Sequence, residues 1–142
     1  MSDKVGWREW VKLPDLGIKR LKCKVDTGAK NSALHTFELI NFEKNGQQWV
    51  RFSIHPDEYD LSKVQQCEAK IQDERAVTDS GGNVTVRYFI ETTIEIGGHK
   101  ILAPVSLTSR DSMVFKMLLG RSALRKAKLT VNPTKSFLQG RK

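Results

Sequence analysis

The chain has 142 residues, of which 39% are hydrophobic and 28% charged, with only 4 Pro and 10 Gly. That length and balance suit a single globular domain over residues 1–142 with a sizeable core, and they exclude a collagen-like, low-complexity or disordered chain. No apolar run approaches the roughly 18 residues of a membrane span; with only two cysteines, Cys23 and Cys67, a reducing cytoplasmic setting without a membrane partner is expected.

The net charge of +8 is unevenly spread. Residues 1–30 carry 8 basic and 4 acidic groups, residues 31–80 carry 5 and 9, and residues 81–142 carry 11 and 3, with no acid beyond Asp111. Such a distribution suits a negatively charged partner: nucleic acid, a ribosome or an acidic protein.

In chain order, Leu21, Cys23 and Val25 alternate with Lys22 and Lys24, the period of a half-buried strand. Val50, Phe52 and Ile54 alternate in the same way with Arg51 and Ser53. Residues 56–76 are polar and acidic and read as an insertion, an excursion from the core. A turn at Asp79-Ser80-Gly81-Gly82-Asn83 opens the longest strand signal, Val84 to Ile96, with Val84, Val86, Tyr88, Ile90, Thr92, Ile94 and Ile96 on one face. Gly97-Gly98 supplies a hairpin turn into a strand over Lys100–Leu107. One short helix is expected over Arg121–Ala127, anchored by Leu124, and residues 139–142 read as a frayed tail. The expected fold class is all-β with one short helix near the C-terminus.

Two separated motifs carry the chemistry. The Leu21–Val25 strand delivers Asp26 to its tip, followed by Thr27, Gly28 and Ala29. Taken alone, this tetrapeptide could equally be an ordinary turn. Far along the chain, Met117-Leu118-Leu119-Gly120 ends a strand just before the helix, a packing motif without chemistry of its own. Between them lies a hairpin with glycines at its tip, over about residues 74–92.

Together these stretches resemble the retropepsins, homodimeric aspartic proteases. They are closer still to the bacterial retropepsin-like family often labelled "ATP-dependent zinc protease". The resemblance rests on Cys23–Leu34, Val86–Lys100 and Met117–Leu124, in the family's order. It implies a pepsin-like closed β-barrel acting as a homodimer, with Asp26 as the catalytic residue of each copy. Thr27, Gly28, Ala29, Leu119 and Gly120 would support the site. Gly81 and Gly82 would form a flap over a peptide substrate, with Lys30, Asn31 and Arg121 also contacting it. One departure stands out. Retropepsins place acidic residues after Asp-Thr-Gly-Ala and pair them with an arginine, whereas Lys30 and Asn31 occupy those positions here. Arg121 is therefore expected either to find another acid or to sit in solvent at the helix start. Lys30 suggests a preference for acidic substrates. Family context, which associates such proteins with ATP-grasp ligases that add glutamates, points to acidic protein tails.

The residues call for no cofactor. There is no His-Glu-x-x-His, the three histidines (His35, His55 and His99) stand far apart, and no phosphate-binding Gly-x-x-x-x-Gly-Lys-Ser/Thr loop exists, so no metal is expected. Cys23 and Cys67 lack a convincing His partner for thiol catalysis. Trp7, Trp10 and Trp49 read as core or dimer anchors. The rival reading is a non-catalytic basic β-barrel module that binds RNA or the ribosome through the acid-free stretch from Ser112 to Lys142. The scarcity of aromatics in that stretch counts against it.

Overall fold

A computed structural model describes residues 3–57, 59–78, 81–109 and 114–140. Twelve strands, one short α-helix and one 3₁₀ turn (Pro14–Leu16) occur among them: β1 (Lys4–Val5), β2 (Arg8–Leu13), β3 (Ile18–Asp26), β4 (Ser32–His35), β5 (Phe37–Lys44), β6 (Gln47–Ile54), β7 (Gln65–Lys70), β8 (Asp73–Thr78), β9 (Val84–Ile96), β10 (His99–Thr108), β11 (Met117–Gly120), α1 (Arg121–Lys126) and β12 (Thr130–Val131). The fold is mostly β, as expected. The helix follows Gly120 directly and ends one residue before the expected limit.

The main sheet has the order β10-β4-β11-β3-β2-β9-β8. Strand β9 also pairs with β10, from His99↔Ile96 to Ser106↔Phe89, so the sheet turns back on itself. Its other join, to β2, consists of the single pair Lys12↔Glu95. The ring of strands is thus completed at this join by one residue pair, and a clearly closed barrel is not shown. Strands β5, β6 and β7 form a separate three-stranded sheet, and β1 pairs with β12.

The alternation read from the sequence decides what is buried. Leu21, Cys23 and Val25 of β3 face the core, as do Phe52 and Ile54 of β6 and Ile90, Ile94 and Ile96 of β9. At the start of β9 the same face emerges into solvent, leaving Val84 and Val86 63% and 67% exposed. The segment 56–76 divides in two: a loop, then β7, which pairs with β6 and buries Cys67.

The C-terminal segment is tied down through position 139. The Glu9 carboxylate is fully buried and accepts the backbone N–H groups of Gly6 (2.7 Å), Leu138 (2.8 Å) and Gln139 (3.0 Å). The Gln139 side chain in turn donates to the Lys4 carbonyl (2.7 Å). Of the expected frayed tail, Arg141 and Lys142 lie outside the described residues. Among the described residues no helix is long and apolar enough to cross a membrane.

Candidate active site

Strand β11 is the spine of the site. It runs parallel to β3 with Met117↔Cys23, Leu119↔Val25 and Gly120↔Asp26 in register, and antiparallel to β4 with Met117↔Leu34. It thus lies between the two strands that the Asp26 loop connects. Leu119 is fully buried beneath that loop. The apolar pair and glycine place the helix start level with Asp26.

Backbone hydrogen bonds hold the loop over this spine. Gly28 N–H donates to Asp26 Oδ1 (3.0 Å) and Ala29 N–H to the Asp26 carbonyl (3.2 Å). From the helix start, Arg121 N–H reaches the Ala29 carbonyl (2.9 Å) and Ser122 N–H the Lys30 carbonyl (3.1 Å). Gly120 N–H donates to Ser32 Oγ (3.0 Å). Space is tight at both glycines, and at Gly120 it leaves no room for a side chain. A Cβ on Gly120 would stand 2.5 Å from the Asn31 carbonyl carbon, and one on Gly28 would stand 3.2 Å from Asp26 Oδ1.

Asp26 is half-buried at the strand tip, with Thr27, Gly28 and Lys30 exposed around it and Ala29 and Asn31 half-buried. The structure therefore joins Asp26, Thr27, Gly28, Ala29, Lys30 and Asn31 with Leu119, Gly120 and Arg121 in one hydrogen-bonded unit. Gly81 and Gly82 belong to another element, the tip of the β8–β9 hairpin, closed by Thr78↔Val84. Gly82 adopts φ +83°, the left-handed conformation that a tight turn asks of glycine. The neighbouring Asp79 and Ser80 lie outside the described residues.

Arg121 takes neither of the two courses expected of it. Its guanidinium Nη1 donates to the carbonyls of Thr27 and Gly28, both at 3.3 Å, so it braces the loop that carries Asp26. Ser32 was invisible to sequence reasoning: a buried serine at a strand start carries no periodic signal.

The other chemistries find little footing. Both thiols are buried, which pushes the pKa of Cys23 and of Cys67 up to about 12 and keeps them protonated and non-nucleophilic near neutrality. Among the described residues no group of three or more His, Cys, Asp or Glu could hold a metal ion. His35 Nδ1 meets Thr108 Oγ1 (2.7 Å) and His55 stacks on Phe37 (4.3 Å), so these residues do not fit a zinc centre.

The site thus holds a single carboxylate on a braced loop, oriented by a glycine N–H above an apolar pair. A family model for the RimB-like proteins, retropepsin-like aspartic endopeptidases, matches residues 4–142. The chain belongs to the RimB-like family. Its curated relatives include a "Probable alpha-L-glutamate ligase" of Shewanella halifaxensis, 38% identical over 99% of this chain and 31% of that protein. A protein of the same name from Desulfotalea psychrophila is 37% identical over 84% of this chain and 26% of its own length. The chain thus spans under a third of the length of the curated relatives it matches. Among solved structures, Lpg0085 of Legionella pneumophila, a protein described as of unknown function, superposes with a TM-score of 0.79. It is 25% identical, and the match covers 96% of this chain and 97% of that one.

Proposed function

We propose that the RimB-like chain is an aspartic endopeptidase whose active site is completed by Asp26 of a second copy. The observation that carries this reading is the Asp26 carboxylate itself, oriented by Gly28 N–H at 3.0 Å on a loop braced by β11 and α1. Peptide hydrolysis by the aspartic-protease route needs two carboxylates facing each other across a water. One, ionised, takes a proton from the water; the other, protonated, donates a hydrogen bond to the scissile carbonyl. Water then adds to that carbonyl, and collapse of the tetrahedral intermediate passes a proton to the departing amine. Each chain offers one such aspartate, and a two-fold homodimer is the smallest assembly that pairs it. The exposed Val84 and Val86 on the flap-like hairpin offer an extended, apolar edge against which a substrate can lie as an added strand.

Charge and the relatives support one substrate class. Proteins named as glutamate ligases contain a related segment, and a peptidase of this family would act on glutamate-rich segments. A dimer of chains that each carry +8 would draw such substrates electrostatically.

The test is digestion of glutamate-rich and neutral peptides by wild type and by Asp26→Asn, with sedimentation of both. The expected result is cleavage by a wild-type dimer and none by the variant. Cleavage by pure Asp26→Asn, or by a strictly monomeric wild type, overturns the proposal. Tight RNA binding without cleavage would instead favour the basic-module reading.

A further inference from the structure

A second charged feature lies away from the Asp26 loop. Between the first half of β3 and the loop that follows β6 there is a cleft of about 690 Å³, whose walls include Trp10, Arg20, Lys22, Tyr59 and Lys116. In the β3–β11 register, Met117 stands opposite Cys23, so Lys116 comes in beside Lys22 at the far end of the same strand pair that ends in Gly120↔Asp26. Lys22 precedes Asp26 by four residues, about 13 Å along a strand at ~3.3 Å per residue. Lys22, Lys24 and Asp26 share one face of β3, because successive side chains alternate and Leu21, Cys23 and Val25 turn into the core.

The chemistry of the cleft is that of an anion site. Its described lining has five cations (Lys19, Arg20, Lys22, Lys63 and Lys116) and one acid, Asp57, which pairs with Lys63 at 3.5 Å. Even if the sequence neighbours Glu58 and Asp111 are counted, cations outnumber acids. Lys116 is only 6% exposed, which places a cation in surroundings where its pull on an anion is less screened than in open solvent.

The aromatic rings bear on which anion. The Arg20 guanidinium lies 4.1 Å from the Trp10 ring, and Lys22 Nζ lies 5.5 Å from Trp10 and 5.9 Å from both Tyr59 and Phe115. Arg20 thus occupies the Trp10 face on which a nucleobase would stack, while Tyr59 stays 88% exposed. What the cleft presents is an excess of cations over acids, and Arg20 adds a planar fork that can bind a carboxylate bidentately.

We infer that this cleft is a carboxylate-binding subsite, separate from the Asp26 loop, that holds a glutamate-rich segment of substrate while another part of the same chain reaches the cleavage point. From the peptidase reading it takes only the acidic nature of the substrate.

The experiment measures binding of hexaglutamate by calorimetry to the 142-residue Asp26→Asn chain, so that cleavage cannot confuse the result. In that background, Arg20→Glu/Lys22→Glu is expected to weaken binding at least tenfold, and Arg20→Gln/Lys22→Gln to weaken it by a smaller factor. Lys70→Glu/Lys100→Glu makes the same change of net charge on exposed strand positions and is expected to stay within twofold. The neutral pair covers the case in which the reversed pair fails to fold. Hexaglutamate affinity that is unchanged in both Arg20/Lys22 pairs overturns the inference, as does equal weakening by the Lys70/Lys100 control. Binding of a single-stranded oligonucleotide through Arg20 and Lys22, with none of hexaglutamate, overturns it in favour of nucleic acid. Hexaglutamate binding through Arg20 and Lys22 in a protein whose wild type cleaves nothing supports the cleft and refutes only the peptidase reading.

Discussion

Replacing Arg121 with alanine separates bracing of the Asp26 loop from direct binding of substrate. The guanidinium makes two hydrogen bonds of 3.3 Å, to the Thr27 and Gly28 carbonyls, from a half-buried position. Long bonds of this kind, from a charged donor to neutral carbonyls, contribute about 0.5–1 kcal/mol each, so the side chain supplies about 1–2 kcal/mol. The backbone bonds from Arg121 and Ser122 to Ala29 and Lys30 survive the substitution. The loop should therefore stay folded but sit less firmly, and urea unfolding should show a loss of about 1–2 kcal/mol. If that firmness is used in the transition state, kcat on a cleaved peptide falls about 5–30-fold with KM little changed. Arg121→Lys keeps the charge but not the fork and should fall in between. Raised KM with unaltered kcat would make Arg121 a substrate contact, and a stability change below about 0.3 kcal/mol would mean the two bonds brace nothing.

Gly120→Ala places a methyl group against the Asn31 backbone at 2.5 Å, where no flexible side chain can yield, and should cost about 3 kcal/mol in denaturant unfolding; a loss under about 1 kcal/mol would show that β4 moves aside freely. Glu9→Gln leaves one acceptor oxygen for three backbone N–H donors and sets an amide N–H₂ against them, so stability should fall by about 2–4 kcal/mol, with faster hydrogen exchange at Leu138 and Gln139; unchanged exchange there would refute the clamp. Cys23 and Cys67, raised by burial from an ordinary 9.0 to about 12, should resist thiol reagents at neutral pH until the chain unfolds. Because the folded state holds each thiol neutral while the unfolded chain ionises, their contribution is fully present below about pH 9 and is lost as pH rises toward 12; a Cys23→Ala/Cys67→Ala variant with the same alkaline unfolding profile would contradict this.

Much of the fold was legible where one physical signal acts alone. Strand β3 shows strict alternation because one side faces the core and the other solvent. The β9–β10 hairpin shows Gly97-Gly98 between two alternating runs. Helix α1 begins where a glycine ends an apolar strand. The β5–β7 sheet was only partly visible. Its β6 strand alternates, but β5 is largely exposed, and its turn signal, Asn45-Gly46 with both residues at positive φ, stands between polar neighbours. Strand β7 was hidden in an acidic stretch, since a strand with a single fully buried side chain, Cys67, has almost no hydrophobic period. The site divides along the same line. Asp26, Gly28 and Gly120 are marked by residue type at a strand end. The Arg121 contacts, the Ser32 hydroxyl, the Glu9 clamp and the meeting of Lys116 with Lys22 all depend on strand pairing between distant segments, which composition and spacing do not encode.

The distribution of positive charge also bears on the proposal that Asp26 is half of a pair. Cations surround the Asp26 loop, yet among the described residues no ion pair reaches its carboxylate. Arg121 spends its guanidinium on backbone carbonyls, and Lys126, at the end of the same helix, donates to the Leu102 carbonyl. The described ion pairs Arg51–Glu68, Lys63–Asp57 and Arg75–Asp73 instead fall in the acid-rich middle of the chain. Asp26 is oriented by the neutral N–H of Gly28. A lysine or arginine in that place would bind the ionised carboxylate and oppose its sharing a proton with a second one. A backbone amide fixes direction without adding charge. The loop is braced by one cation, Arg121, at two of its carbonyls and held by a backbone amide at its carboxylate, which is the combination that the proposed pairing with a second aspartate calls for.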